Sequence, residues 1–427
     1  MNILMLTNTY APHVGGVARS VEGFAGEFRK LGHRVVIAAP IFAGASKEET
    51  DVIRFPAVQR FNGSDFSVPL PVPGKLIAAL RAFPPAVVHS HHPFLLGDTA
   101  LRVAATRKIP IVFTHHTLYE KYTHYVPGDS LKMKRFIVEL VTGYCNLCDG
   151  VIAPSRSVAE LLLRRGVKSR ITAIPTGVDV EALGKGDGRA ARCRLSIPPD
   201  AFVIGYVGRL AREKNLRFLA HAVARFLPAC ENRYFLVVGE GPSGKEIQEI
   251  FSALGLTNRL RMTGVLDPRA LPDMYHAMDA FAFCSRSETQ GMVLTEAMAA
   301  GVPVVALDAC GVREVVRDRI NGRLTPAEDL DQFREALSWI AGLAREDRRR
   351  LQDEAKKTAL EFSMARSVAM TLRFYEVLIS SGSSAKQSGS RGLGAARRRI
   401  ASEWHILRNI AHAAGDAVLS LPGRIEA

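Results

Sequence analysis

Short apolar runs, separated by glycine turns and by stretches of helical periodicity, set the frame of this chain. Ile3 to Leu6 reads as an apolar strand, Gly15 and Gly16 as a turn, Val17 to Leu31 as a helix, and Arg34 to Ala39 as a second strand. That order is one β-α-β unit. Further runs at Ala86 to His89, Ile111 to Thr114, Gly150 to Ala153 and Ile171 to Ile174 alternate with helical segments. Strands that are apolar throughout are covered on both faces, so the pattern predicts a parallel, doubly wound sheet. After the charged, glycine-bearing stretch Leu183 to Arg194 the alternation begins afresh, with Phe202 to Val207, Tyr234 to Val238, Leu260 to Met262, Ala280 to Phe283 and Val304 to Leu307. The expectation is an α/β protein of two doubly wound parallel-sheet domains, residues 1–185 and 186–365.

Residues 366–381 predict one more helix, packing back on the N-terminal domain. Residues 382–396 carry a Ser-Gly-Ser-Ser-Ala-Lys-Gln-Ser-Gly-Ser composition that cannot build a core and reads as a flexible linker. In the tail, residues 397–427, Ile400, Trp404, Leu407, Ala411, Ala414 and Val418 fall at helical spacing behind Arg397, Arg398 and Arg399, a basic amphipathic helix. Two readings stay open for it: a helix docked on its own domain or a partner, and a helix adsorbed on a membrane surface.

Composition narrows this only in part. The 427 residues, 47% of them hydrophobic, supply two cores. No apolar run approaches the roughly 20 residues that span a bilayer. The longest, Ala297 to Leu307, is broken by Gly301 and Pro303. Met1 to Thr7 lacks a basic leader and reads as a first strand, so a cytosolic protein is expected. Cys145 and Cys148 have no second Cys or His pair at ligand spacing and read as buried thiols. A net charge of +14 requires a strongly positive face, which suits phosphates, nucleic acid or an anionic membrane equally.

Chemistry concentrates in three stretches. Ser285 to Ala306 follows an apolar strand and opens a helix that Gly301 and Pro303 end. Its loop therefore lies at a strand's carboxyl end and a helix N-terminus, where unpaired amides bind anions. Glu288 and Glu296 flank that point and can accept hydroxyl hydrogen bonds. Gly205 to Asn215 runs from a strand through a glycine turn at Gly208 to Arg209 and Lys214. Fixed cations there can stabilise a departing diphosphate without a metal. Thr114 to Pro127 follows another strand, carries three histidines and three tyrosines, and is too polar for a core.

Glu288 and Glu296, with the strand before them and Gly-Val-Pro-Val-Val after, resemble the Glu-x7-Glu motif of the family-four retaining glycosyltransferases. The likeness spans roughly residues 1 to 380. It implies a GT-B fold, two Rossmann-like domains facing a central cleft, the first binding acceptor and the second binding a nucleotide-sugar donor. By the same resemblance Glu288 contacts sugar hydroxyls with the amides of Thr289, Gln290, Gly291 and Met292 around it, and Glu296 holds the ribose. Arg209 and Lys214 bind the diphosphate beside Gly208, and Thr263-Gly264-Val265 forms the base-binding loop. Val238 to Pro242 matches the usual glycine turn between them. Gly15 and Gly16 lie near the diphosphate and acceptor, and His116 contacts the transferred sugar. Asp308 to Glu314 stands where the family shows paired glycines before a Glu. Cys310 replaces one of them, which puts close backbone approach there in question.

The 114–127 stretch and Glu288 to Gly291 look like the narrower group that glucosylates diacylglycerol, with Tyr119, Tyr122 and Tyr125 as acceptor contacts. Lys132, Lys134 and Arg135, beside Phe136 and Ile137, would suit anionic headgroups. The implied reaction moves a hexose, glucose first, from UDP-glucose to a lipid hydroxyl at the cytosolic membrane face. No cofactor or metal is required, since no Asp-x-Asp motif sits in the donor segment, though stimulation by a divalent ion is left open. A GDP-mannose-dependent mannosyltransferase acting on a phospholipid or glycan is the rival reading. A basic peripheral membrane or nucleic-acid-binding protein is the non-enzymic one. Stacking platforms interleaved with basic residues are missing outside Tyr119 to Tyr125, so no nucleic acid is expected.

Overall fold

The structure is a computed structural model, and it describes residues 1–13, 15–46, 49–58, 68–69, 73–125, 129–384 and 393–419. It divides into two compact units, Met1–Gly177 with Ala365–Ala427, and Val178–Met364.

The sheet of the first unit contains β1 (Asn2–Leu6), β2 (Arg34–Pro40) and β3 (Val52–Phe55). A small antiparallel ladder of β4 (Ala57–Val58) and β5 (Val68–Pro69) follows, and then β6 (Val87–Ser90), β7 (Ile111–Thr114), β8 (Gly150–Ala153) and β9 (Arg170–Ala173). The seven-stranded sheet has the order β3-β2-β1-β6-β7-β8-β9 and every pair is parallel. Its helices are α1 (Gly16–Lys30), α2 (Pro73–Ala82), α3 (Leu96–Arg107), α4 (Leu131–Leu147) and α5 (Arg156–Arg164). Strands such as Val35 to Ala39 and Ile111 to Thr114 are buried at every position, which is why they read as unbroken apolar runs.

The second unit holds α6 (Val180–Leu183), α7 (Gly188–Arg194), β10 (Phe202–Val207), α8 (Leu216–Phe226), β11 (Arg233–Val238), α9 (Gly244–Ala253) and β12 (Leu260–Met262). It continues through α10 (Leu271–His276), β13 (Ala280–Phe283), α11 (Met292–Ala299), β14 (Val304–Leu307), β15 (Gly322–Thr325), α12 (Leu330–Ala341) and α13 (Arg345–Glu361). Its six strands are parallel in the order β12-β11-β10-β13-β14-β15. The change-over at Gly177–Val178 precedes the expected 185/186, because α6 and α7 pack on α10 and α11 of the second unit.

α14 (Met364–Ser384) and α15 (Leu393–Leu419) complete the first unit. On α14, Phe374, Tyr375 and Leu378 are buried. The Tyr375 ring lies 5.9 Å from that of Phe28, its hydroxyl bonds His89 Nδ1, and Phe374 and Leu378 cover Gly150 at the start of β8. The expected linker is shorter than its composition implied: α14 runs to Ser384, α15 starts at Leu393, and the positions between lie outside the described residues. Residues 420–427 lie outside them too.

α15 docks on α4 and α3. Ile406, Ala413 and Ala417 are buried there, the two Glu403 carboxylate oxygens accept from Arg102 Nε and Nη2 (2.6 and 2.9 Å), and Asn409 Nδ2 donates to Leu140 O (3.0 Å). Gly143 makes this crossing possible, since any Cβ there would collide with the Asn409 side chain. The stripe expected from the sequence is not this face: Ile400, Trp404, Leu407, Ala411 and Ala414 are exposed. Among the described residues no helix is long and apolar enough to cross a membrane. Cys145 and Cys148 are buried free thiols, pushed up in pKa by desolvation.

Candidate active site

β10 and β13 are neighbours, but the chain leaves them in opposite directions along the sheet, β10 toward β11 and β13 toward β14. In an open parallel sheet the crevice beyond the carboxyl ends of two such strands is the place where ligands bind. The two segments singled out in the sequence start there, Gly208 to Asn215 after β10 and Cys284 to Gly291 after β13.

Backbone bonds lace the strand-end loops into one floor. Gly208 N donates to Val238 O (3.0 Å), Leu210 N to Glu240 O (2.9 Å), Ser243 N to Leu210 O (2.9 Å) and Gly239 N to Gly264 O (2.9 Å). Gly239 sits directly against Gly208 O, too close for any side chain. The hydroxyls of Ser285 and Ser287 then tie the β13 loop to Glu213 O, at 3.3 and 3.4 Å. The loops after four strands are therefore held at fixed separations by groups that a ligand does not need to supply.

Above this floor Lys214 Nζ lies 2.6 Å from Glu288 Oε1. Their side chains are only 20% and 15% exposed, so the pair is shielded from bulk water. Burial works against the Glu288 carboxylate, but the Lys214 charge and hydrogen bonds from Lys214 and Ser285 hold its pKa below the ordinary glutamate value. A depressed carboxyl contributes stability that is present above its unfolded pKa and is lost as pH falls through its folded value. The melting-temperature gap between the parent and Lys214→Met is therefore expected to narrow as pH drops from about 6 to about 3, around the glutamate range; calorimetry at stepped pH measures it.

Arg209, half-buried, follows Gly208, and its carbonyl accepts from the Tyr206 hydroxyl at 3.1 Å. Gly291, at φ +75°, caps α11 without a side-chain bond of its own, ahead of the first turn that begins at Met292, the kind of helix start whose amides attract anions. Thr289 is half-buried and Gln290 buried. Gly311, also at φ +75°, presses on these two: a Cβ there would stand 2.6 Å from Gln290 N and from Thr289 C and O. Gly311 thus carries the close approach that Cys310 put in question. Glu296, one turn into α11, is 1% exposed and accepts the Tyr275 hydroxyl at 2.7 Å. Gly264 lies just past β12, and Val265 after it is 57% exposed, an apolar side chain at the loop expected to meet a base.

In the first unit the structure gathers His89, His91 and His92, which the sequence reading did not single out, near His116, which it did. His91 Nδ1 and His116 Nε2 are 2.9 Å apart with stacked rings, and His89 is bonded on both nitrogens, to Thr114 Oγ1 (2.7 Å) and the Tyr375 hydroxyl. His92 Nδ1 accepts from Asn8 N at 3.0 Å. Burial lowers all of them, His89 and His92 to about 3, and at His91 and His116 the neighbouring histidines act in the same direction, so the neutral imidazole is favoured at each. Their run, His89-Ser-His-His92 at the end of a strand, was the available signal. The three tyrosines divide: Tyr119 packs on Phe94 and His115, whereas Tyr122 and Tyr125 stack around His124. Gly15 and Gly16 have no positive φ, and a Cβ on Gly16 would meet no atom, so the chain's own packing does not demand glycine at Gly16. On α4, Lys132 is exposed and Lys134 pairs with Asp129 at 3.6 Å.

Two family models match the chain, Glycosyltransferase Family 4 over residues 14–182 and Glycosyl transferases group 1 over residues 189–358. An alpha-monoglucosyldiacylglycerol synthase of Streptococcus pneumoniae is 30% identical over 76% of this chain and 75% of its own length. The chain belongs to the family-four glycosyltransferases. A GDP-mannose-dependent alpha-mannosyltransferase of Mycolicibacterium smegmatis is 29% identical over 84% of this glycosyltransferase and 93% of itself. Anabaena HepE, solved in complex with UDP-glucose, shares the fold with a TM-score of 0.66 at 21% identity, covering 88% of this chain and 100% of that one. This glycosyltransferase is thus a retaining, sugar-nucleotide-dependent hexosyltransferase on a GT-B scaffold.

Proposed function

We propose that this glycosyltransferase moves glucose from UDP-glucose to the free hydroxyl of diacylglycerol at the cytosolic face of an anionic membrane. The Lys214–Glu288 ion pair at the ends of β10 and β13 carries the reading. A nucleotide sugar brings phosphate oxygens for the ammonium and hydroxyl donors for the carboxylate, so each member of the pair exchanges one partner for a chemically equivalent one. Arg209 adds a second cation to the diphosphate, the first-turn amides of α11 and residues Thr289 to Met292 add donors, Val265 meets the base, and Glu296 the ribose. Gly15 and Gly16 leave room for the diphosphate, His116 contacts the transferred sugar, and Tyr119, Tyr122 and Tyr125 contact the acceptor. In the reaction the bond from the anomeric carbon to the diphosphate breaks, the acceptor oxygen bonds to the same face, and its proton leaves on the diphosphate. No side chain is assigned a covalent role.

The likeness to the monoglucosyldiacylglycerol synthase supports this donor and acceptor, and the likeness to the mannosyltransferase supports the rival, GDP-mannose as donor. Transfer of radiolabelled sugar to diacylglycerol in detergent micelles separates them: label is expected from UDP-glucose and not from GDP-mannose, and the reverse result overturns the proposal. Because Lys214 and Arg209 supply the charge opposite the diphosphate, transfer is expected to retain more than about half its rate in excess EDTA, against the losses of about 100-fold that removal of an essential electrostatic group brings.

A further inference from the structure

We propose that the outward face of α15 is the surface by which this glycosyltransferase lies on an anionic bilayer; the inference rests on the lipid-acceptor reading above and gives it a contact surface. The helix has two apolar faces, and only one is used by the fold. Its inner face is fixed by Ile406, Ala413 and Ala417, by the Arg102–Glu403 pair, and by the Asn409 bond to Leu140 O over Gly143. With that crossing in place the helix cannot roll its other face inward.

The other face presents Ile400 at 71% exposure, Trp404 at 65% and Leu407 at 59%, followed by exposed Ala411 and Ala414. Their spacing of i, i+4, i+7, i+11 and i+14 makes one stripe about 21 Å long, at 1.5 Å per residue. Beside it stand exposed His405, Arg408 and His412, and three consecutive arginines, Arg397 to Arg399, precede it in the sequence. Glu403, the acidic side chain described on this helix, is engaged by Arg102 and adds no repulsion outward. α4, on which α15 lies, itself opens with exposed Leu131 and Lys132.

A stripe one residue wide per turn, holding an indole and flanked by exposed Arg408, fits the plane where headgroups meet acyl chains: apolar side chains enter, Trp prefers that depth, and the guanidinium meets lipid phosphate. A chain of net charge +14 is drawn to such a surface before it touches it. A protein groove of matching width would also need an acidic edge to face Arg408.

The test uses the full chain with Trp339→Phe, so that Trp404 is the sole indole. With phosphatidylglycerol/phosphatidylcholine vesicles the protein is expected to sediment and Trp404 emission to shift to the blue, and with phosphatidylcholine alone to stay largely in the supernatant. A variant carrying Ile400→Ser, Trp404→Ser and Leu407→Ser is expected to partition at least about 10-fold less while keeping its rate in detergent micelles. Leu407→Asp alone, on the exposed face, repeats the comparison if the triple variant misfolds. Undiminished sedimentation of both variants overturns the proposal, and so does a parent that ignores the vesicles, including one that instead dimerises through the stripe. A parent that binds vesicles but transfers nothing in micelles sinks the lipid-acceptor reading and leaves the surface standing.

Discussion

Glu288→Gln is expected to lower kcat/KM for sugar transfer by about 100-fold or more, with the fold intact. Glutamine keeps the size of the side chain, so the floor made by Ser285, Ser287 and Glu213 is undisturbed. It removes the charge that holds Lys214 Nζ at 2.6 Å and the acceptor strength that sugar hydroxyls require. Lys214→Met is expected to cost a similar factor, because the cation that opposes the diphosphate disappears and a shielded carboxylate is left alone. Because the two groups act as one device, the double variant should be scarcely worse than either single one. Steady-state transfer by the four proteins, with circular dichroism spectra alongside, measures this. Single losses that multiply in the double variant would show two independent roles and break the exchange argument.

Gly311→Val is expected to destabilise the protein by about 2–4 kcal/mol and to abolish donor binding in the molecules that remain folded. Two costs coincide there. A branched residue resists φ +75°, and its Cβ must displace the Thr289–Gln290 backbone that it would approach to 2.6 Å. That backbone leads into Gly291 and the first turn of α11, so the shift moves Glu288 and the amides together. Denaturant melts and UDP titration by calorimetry measure both effects. A stable variant with normal UDP affinity would mean that the 308–314 loop is not part of the site.

The parts of the fold that could be read in advance are those whose cause is local. β7, β8, β10, β13 and β14 are buried at nearly every position, and a run such as Ala280 to Phe283 can be little else between two helices. β3 and β15 were not anticipated. They are edge strands, each holding an arginine whose charge is met elsewhere, Arg54 by Glu49 and Arg323 by Asp318, so neither forms a continuous apolar run. Of the site, the strand-turn-helix settings of Lys214 and Glu288 were legible. Their contact was not, since 74 residues separate them and only the adjacency of β10 and β13 brings them together. Tyr275 beneath Glu296 and His91 beside His116 were hidden for the same reason. The α15 case is more instructive. Hydrophobic spacing picked out the exposed stripe, while the docked face relies on two alanines, one isoleucine and a glycine on another helix, residues too small to dominate any periodicity.

Tyr375 and Phe374 have a consequence for the order in which the molecule can be made. The N-terminal sheet leaves β8 and His89 waiting for side chains that the ribosome adds only after the whole of residues 178–364 has been translated. The middle of the polypeptide is contiguous and can close on itself, so during synthesis the later-made half is finished while the earlier-made half still lacks its last helices.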